Sequence, residues 1–434
     1  MFNSISGLKC SGKTMLSLGK ISDKTSRSRC PLCKLFAAAR SSPPATKKDK
    51  KWELRAFSCL TKFGMKLTKQ RLAKQPSIVL CVVPEHCRKR FRHWSDGDPF
   101  EPKLIMPLVE DRLTGRRPFE FLSRIIDPYI LEYHTFRSWL EMCDQTHGAT
   151  CSAPNAVKDP VMRLSVIDCY AKKVVRIPTT EKYFALSYVW GKSSSELRFP
   201  QNLNSNFAKN LTRVVQDAME VCNRLGGKYL WVDKYCISHE DRDAVIQKMD
   251  QIYEGAYATI ISTGPSSDHG IPGVSVPREL SQQYVKTGGV RVTLTASLGL
   301  GQGVNHTDWN ARGWTYQEGV LSRRRLIFTQ QKVYFQCHGG SACEDVHSSF
   351  GLEPLDIMEH HQVLFPPIRS IRYHDYLVFP QHLFRYTGRA LTYESDILNA
   401  FRGILTRSEE QTYYGVPLIG GRNSYPSDSA IAIN

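Results

Sequence analysis

"YFALSYVWG", Tyr183 to Gly191, is a run of apolar and aromatic residues closed by a glycine, and its reading decides the fold. A short apolar run bounded by a turn residue reads as a strand buried on both faces. Downstream, Leu211, Val214, Val215, Ala218, Val221, Cys222 and Leu225 recur at helical spacing, and Gly226-Gly227 supplies the stop. "YLWVDKYCI" (Tyr229 to Ile237) reads as a second buried strand. Ile246, Met249, Ile252, Tyr253 and Ala256 line a second helix, and "ATIIST" (Ala258 to Thr263) is a third strand. Strand, helix, strand, helix, strand with short joins predicts a parallel α/β sheet. Such sheets take ligands where the carboxyl ends of the strands meet the loops. Those ends are "SYVWG", "VDKYC" and "STG", which puts Ser187, Trp190, Gly191 and Asp233 beside the expected pocket. Three of them also have a plainer reading: Ser187 and Trp190 as core or turn residues, Asp233 as the cap of the following turn.

Outward from this core the chain is less regular. Phe136, Trp139, Leu140 and Cys143 share one face of a helix near 129–147, stopped by Gly148. "RCPLCKLFAAAR" looks like a turn entering a short helix, "SSPPATKKDKK" (41–51) is a linker by composition, and "SIVLCVV" is a buried strand. A hairpin is predicted over 324–337. The expected organisation is a basic tail over 1–50, an N-terminal region over 51–175, the α/β domain over 176–345 and a C-terminal extension over 346–434.

The net charge of +17 belongs to the N-terminal quarter. Residues 1–100 hold 22 basic and 6 acidic side chains, net +16, and the remainder is close to neutral. No nucleic-acid-reading motif accompanies "KKDKK" or "RKRFRHW", so the charge reads as a solvated basic surface. No apolar run approaches the ~18 residues of a membrane span. Thirteen cysteines, an odd number with no secretory signal, read as reduced intracellular thiols. A cytoplasmic location is expected, with a mitochondrial presequence as a weaker reading of the basic, Ser-bearing start.

Two nucleotide motifs fail on context. "GLKCSGKT" (Gly7 to Thr14) fits the phosphate-loop pattern, with Asp233 as a conceivable magnesium holder. Only "MFNSIS" precedes it, a poor strand, and Gly19 interrupts any helix after it, so an NTP hydrolase is the remote alternative. "LGLGQG" (Leu298 to Gly303) has the wrong glycine spacing for a dinucleotide fingerprint.

Cys30-Pro-Leu-Cys33 has the spacing of half a zinc site. Cys143, His147 and Cys151 follow at intervals of four. On a straight helix Cys143 and Cys151 lie ~12 Å apart, too far to share a metal. The expected set is therefore Cys30, Cys33 and His147 with one of Cys143 or Cys151, and the competing reading is scattered reduced cysteines.

The strings "YFALSYVWG", "YLWVDKYCI", "QKMDQIYEGAYATIISTG", "GIPGVS" and "RGWTYQEGVLSRRRLIFTQQKVYFQC" together resemble the HET (heterokaryon incompatibility) domain of filamentous fungi, over about residues 183–340. Thr212 and His239 depart from the family's frequent Pro and Gln at those places. The chain stops soon after "YYGVPL", short of where relatives commonly run. The resemblance implies a flavodoxin-like, TIR-like parallel sheet core with basic N-terminal and mixed C-terminal extensions. It also implies fungal non-self recognition, programmed cell death and self-association with other signalling proteins.

Several TIR domains cleave NAD at the nicotinamide–ribose bond with a Glu four residues after a Trp. Trp314 and Glu318 have that spacing, and the resemblance implies Glu318 as the catalytic carboxylate. A helical spacing of four puts Trp314 on the same face as an aromatic wall, and Arg312, just upstream, is placed to pair with the pyrophosphate of NAD or to hold Glu318 itself. Nicotinamide leaves as a neutral ring, so no general acid is needed. One carboxylate beside the oxocarbenium-like ribosyl centre suffices. The competing readings are Glu318 locked to Arg323, Arg324 or Arg325, and a non-enzymatic interaction platform.

Overall fold

The computed structural model describes residues 13–21, 27–40, 51–58, 78–85, 103–108, 121–152, 163–191, 211–238, 240–280, 282, 284–287, 289–295, 303–348, 353–354, 365, 378–407, 412–413 and 416–417. The protein is an α/β molecule built on two sheets. The smaller has six strands, all antiparallel: β1 (Lys13–Lys20), β2 (Lys51–Ser58), β3 (Ile78–Pro84), β4 (Leu104–Pro107), then β12 (Val290–Thr295) and β11 (Tyr284–Thr287). Helix α1 (Pro31–Ala39) covers one face, packing Leu35 and Ala39 on Trp52, Leu54, Leu80 and Ile105. Lys13 and Thr14 open β1, where a phosphate loop requires a helix, while Gly7 to Gly12 lie outside the described residues.

The larger sheet has nine strands in the order β17-β15-β14-β13-β10-β8-β9-β6-β7. Its middle is β9 (Tyr229–Trp231), β8 (Tyr183–Ser187), β10 (Ala258–Ser262) and β13 (Arg324–Phe328), all parallel. Ala185 pairs with Trp231 and Thr259, so the Tyr183–Ser187 stretch occupies the centre. A parallel core was predicted, but the sheet is mixed. On one side β6 (Arg163–Asp168) and β7 (Lys173–Pro178) are antiparallel. On the other, so are β14 (Val333–Cys337), β15 (Gly340–Cys343) and β17 (Glu353–Pro354). The β6–β7, β13–β14 and β14–β15 pairs are joined by turns too short for the crossover that parallel neighbours need. Asp168 caps the β6–β7 turn by accepting from the amides of Tyr170 (3.0 Å) and Ala171 (2.9 Å). The predicted hairpin over 324–337 is β13–β14.

Helices α2 (Tyr133–Thr146), α3 (Gly148–Cys151), α4 (Arg213–Arg224), α5 (Asp233–Cys236), α6 (Arg242–Ile246), α7 (Met249–Gly255), α8 (Asp308–Ala311), α9 (Gly313–Leu321), α10 (Val378–Thr387) and α11 (Arg402–Arg407) surround this sheet. Its two faces separate by residue parity, as the pleat dictates. Ile260, Leu326 and Phe328 join one core cluster, with Phe136 and Trp139 of α2 and Val214 and Ala218 of α4. Ile261 and Ile327 join another, with Tyr316 and Val320 of α9 and Phe401 and Ile404 of the C-terminal segment. The short pair β5 (Phe121–Ser123) and β16 (Val346–Ser348) ties the two sheets: Ser123 Oγ lies 2.7 Å from Thr295 Oγ1 on β12. Among the described residues no helix is long and apolar enough to cross a membrane.

Two elements depart from the sequence expectation. "YLWVDKYCI" is a strand only to Trp231, because the Val232 carbonyl accepts from Cys236 N (2.8 Å) and turns the chain into α5. The stripe from Ile246 to Ala256 is broken between α6 and α7.

Gly226 takes φ +77°, and Gly227 leaves no room for a side chain: an added Cβ would stand 2.5 Å from the Phe184 ring and 2.7 Å from Cys222 Sγ. Gly227→Ala is expected to lower stability by about 1–3 kcal/mol, as overpacking does. Urea unfolding measures it, and an unchanged midpoint would mean that β8 and α4 do not meet as described.

Candidate active site

The parallel strands define a switch point. β8 is followed by α4 on the face of Phe184, then β9 on one side. The chain then returns through α6 and α7 to β10 on the other side of β8, and the Tyr183 hydroxyl donates to Ile252 O of α7 (2.7 Å). Crossovers thus leave to opposite faces between β8 and β10, where open α/β sheets place ligands.

Ser187, the last residue of β8, projects to the face that α9 covers and donates its hydroxyl to the Glu318 carboxylate. It accepts in turn from the indole N–H of Trp309 (2.8 Å), on α8. Glu318 is 6% exposed. Burial first, and the Asp233 charge second, push its carboxyl up to about 7; the Ser187 hydrogen bond, Arg312 and Tyr253 oppose the shift. The predicted arginine clamp is absent. Arg323 binds the carbonyls of Glu254, Cys151, Gly255 and Ala256; Arg324 binds Asp144, Cys143 and Tyr257; Arg325 binds the carbonyls of Gly319 and Val320.

Around this buried pair lies a more open rim. Asp233 is half-buried and does two things at once: Oδ1 accepts from Lys234 N (2.7 Å) inside the first turn of α5, and Oδ2 accepts from the Trp190 indole (3.0 Å). Burial raises its carboxyl to about 6. Trp190 is 37% exposed. Gly191 takes φ +84°, and an added Cβ would press on Ser266 at 3.1 Å, so the turn after β8 needs glycine to close on the loop after β10. Ser267 completes that closure, donating to Trp190 O (2.6 Å). Arg312 reaches Tyr188 O (3.4 Å), and its charge favours ionisation of both Asp233 and Glu318.

Two buried hydroxyls at these strand ends, those of Tyr188 and Ser262, have no hydrogen-bond partner among the described residues. They follow directly on Ser187 and Ile261, which pair in the sheet. A buried polar group left unsatisfied costs roughly 1–3 kcal/mol, and a ligand or water at the strand ends would relieve it.

The site thus gathers Ser187, Trp190, Gly191, Asp233, Arg312 and Glu318. Trp314 is held differently: its indole donates to Asp396 (3.2 Å) in the C-terminal segment, and it packs between the two core clusters. The indole joined to the carboxylate is that of Trp309, which sequence spacing did not single out. Tyr188, Tyr253 and Trp309 reach the site from separate segments, and only the strand-end position of Tyr188 was a signal.

A second constellation is Cys143, His147, Cys151 and Cys337, whose ligand atoms all lie within 4.8 Å of one another, a set that could hold a metal. Cys30 and Cys33 are not in it. They flank the start of α1 on the six-stranded sheet, Cys30 exposed and Cys33 partly so. Cys143 and Cys151, too far apart on a straight helix, do come together. The helix ends at Thr146, His147 takes φ −117° and ψ 17°, and α3 restarts at Gly148, which folds Cys151 back.

The fold and site define a mixed α/β domain with a buried carboxylate at its switch point. Residues 183–318 match the family model described as Heterokaryon incompatibility protein (HET), so the chain carries a HET domain. No curated protein and no solved structure matches the chain.

Proposed function

We propose that this HET domain is a signalling module of fungal non-self recognition and programmed cell death that cleaves NAD at the nicotinamide–ribose bond. The parallel order β9-β8-β10-β13, which is 2-1-3-4 in chain order, supports a flavodoxin-like, TIR-like core. The observation that carries the reading is Glu318: buried at the switch point, oriented by Ser187, and unpaired with the three arginines that follow it.

In this reading NAD lies across the strand ends, with Arg312 toward the pyrophosphate and Trp190 and Asp233 at the rim. The C–N bond to nicotinamide breaks, its electron pair leaving with the now neutral ring. Ionised Glu318 stabilises the oxocarbenium centre, water adds to it, and one proton is released. The reaction needs the carboxylate form, and Glu318 ionises only near pH 7. Turnover is therefore expected to rise through that pH, and the cationic nicotinamide ring to pull the carboxyl lower once bound. Ser187 is a positioning residue: Ser187→Ala removes a bond that favours the charged form, so the acid limb of the profile should move to higher pH. The experiment is nicotinamide release by the full chain, with Glu318→Gln expected to abolish it. Wild-type protein that leaves NAD untouched, also when oligomerised, would refute the enzyme.

A second reading, a self-associating platform, is favoured by Phe384, Tyr393, Ile397 and Leu398, large apolar side chains exposed within one C-terminal stretch. In both readings the domain works from the cytoplasm with signalling partners.

A further inference from the structure

We propose that Cys143, His147, Cys151 and Cys337 form a closed tetrahedral zinc site that pins the end of α2 to the β13–β14 hairpin. Four ligands around zinc, with sulfur at ~2.3 Å and nitrogen at ~2.0 Å, stand about 3.5–3.8 Å from each other. The cluster is close to that shape: no two ligand atoms exceed 4.8 Å, and Cys337 Sγ lies 3.4 Å from His147 Nδ1. Closure of the longest spacing needs a shift of under about an ångström in side chains that already converge.

The donor set selects the ion. Three thiolates and one imidazole in a tetrahedron suit zinc and exclude magnesium and calcium, which want oxygen. All four positions are protein ligands, so none is open for water or substrate, and the role is structural. Binding displaces a proton from each of the three thiols and leaves one net negative charge. The surroundings answer it: Arg324 Nε donates to Cys143 Sγ (3.1 Å), and Arg323 binds the Cys151 carbonyl. Cys143, Cys151 and Cys337 are buried.

The backbone is also shaped for the histidine. A Cβ at Gly339 would stand 2.5 Å from His147 Cγ and 2.8 Å from Nδ1, so only glycine lets the turn after β14 approach the ring. Arg323 lies in the short join between α9 and β13 and Arg324 opens β13, so the site also steadies the helix that carries Glu318.

Metal analysis of the purified full chain is expected to find about one zinc per molecule. Cys337→Ser and Cys151→Ser should each lose it, and Cys30→Ser with Cys33→Ser should keep it. Gly339→Ala should weaken zinc affinity by about 10- to 100-fold. Because a ligand variant can fail to fold, wild-type protein stripped by a chelator is titrated with cobalt(II). One equivalent should develop the absorption of a tetrahedral thiolate site and be displaced by zinc. Three outcomes overturn the proposal: reduced protein that binds neither ion, a disulfide between two of these cysteines in freshly purified chain, or zinc that leaves with Cys30 and Cys33 instead.

Discussion

Glu318→Gln is expected to make the protein more stable at pH 8 while it abolishes turnover. The folded carboxyl ionises near pH 7 against an unfolded value near 4.5, so the native state holds the proton more tightly. Stability therefore falls as pH rises from about 4.5 to 7, and the full cost is present above that window. At ~1.4 kcal/mol per pKa unit the cost is about 3 kcal/mol, most of it from burying a charge next to Asp233. Gln keeps the shape and can still accept from Ser187, but it carries no charge. Below pH 4.5 wild type and variant should unfold at nearly the same urea concentration; at pH 8 the variant should need more. Most site substitutions destabilise, so a gain confined to neutral and alkaline pH marks stability given up for a charge. Equal midpoints at both pH values would mean that Glu318 is not held as described.

Asp345→Asn is expected to have the opposite effect, a loss of about 3–5 kcal/mol. Lys332 Nζ binds both oxygens of Asp345 (2.9 and 2.8 Å), and both side chains are almost wholly buried. Asparagine leaves an ammonium in the interior with no counter-charge, and desolvation then acts alone. Replacing both partners with apolar residues, Lys332→Met with Asp345→Leu, should recover most of the loss, since the pair itself contributes little net stability. Lys332 opens the approach to β14 and Asp345 lies between β15 and β16, so the antiparallel flank should unravel first. Hydrogen exchange there tests this; a single-variant loss under ~1 kcal/mol would contradict it.

What could be read beforehand was what is local. The stripe from Leu211 to Leu225 became α4, "YFALS" the central strand, and the strand-end rule picked out Ser187 of the buried pair and Trp190, Gly191 and Asp233 on the rim around it. The antiparallel flanks were not legible, because a buried apolar strand looks the same whichever way its neighbour runs. The Trp309–Ser187 bond joins residues 122 positions apart, and no periodicity reports such a contact. The metal-holding cluster failed for a subtler reason. The ~12 Å objection assumes an unbroken helix, yet Gly148 was already a stop signal, and the break at His147 removes the objection. Cys337, 190 positions from His147, comes in only through the hairpin.

The six-stranded sheet carries a consequence for synthesis on the ribosome. β4 is complete at Pro107, but its neighbour β12 ends at Thr295, 188 residues later. At about 5–20 residues per second, β4 emerges with one edge open for roughly 10–40 seconds. Leu104, Ile105 and Met106 are buried in the finished protein and have no charge among them to discourage pairing with another chain. During that interval the nascent chain needs a chaperone or a provisional partner, and any stall before residue 284 leaves a sheet that can be finished only by a stranger.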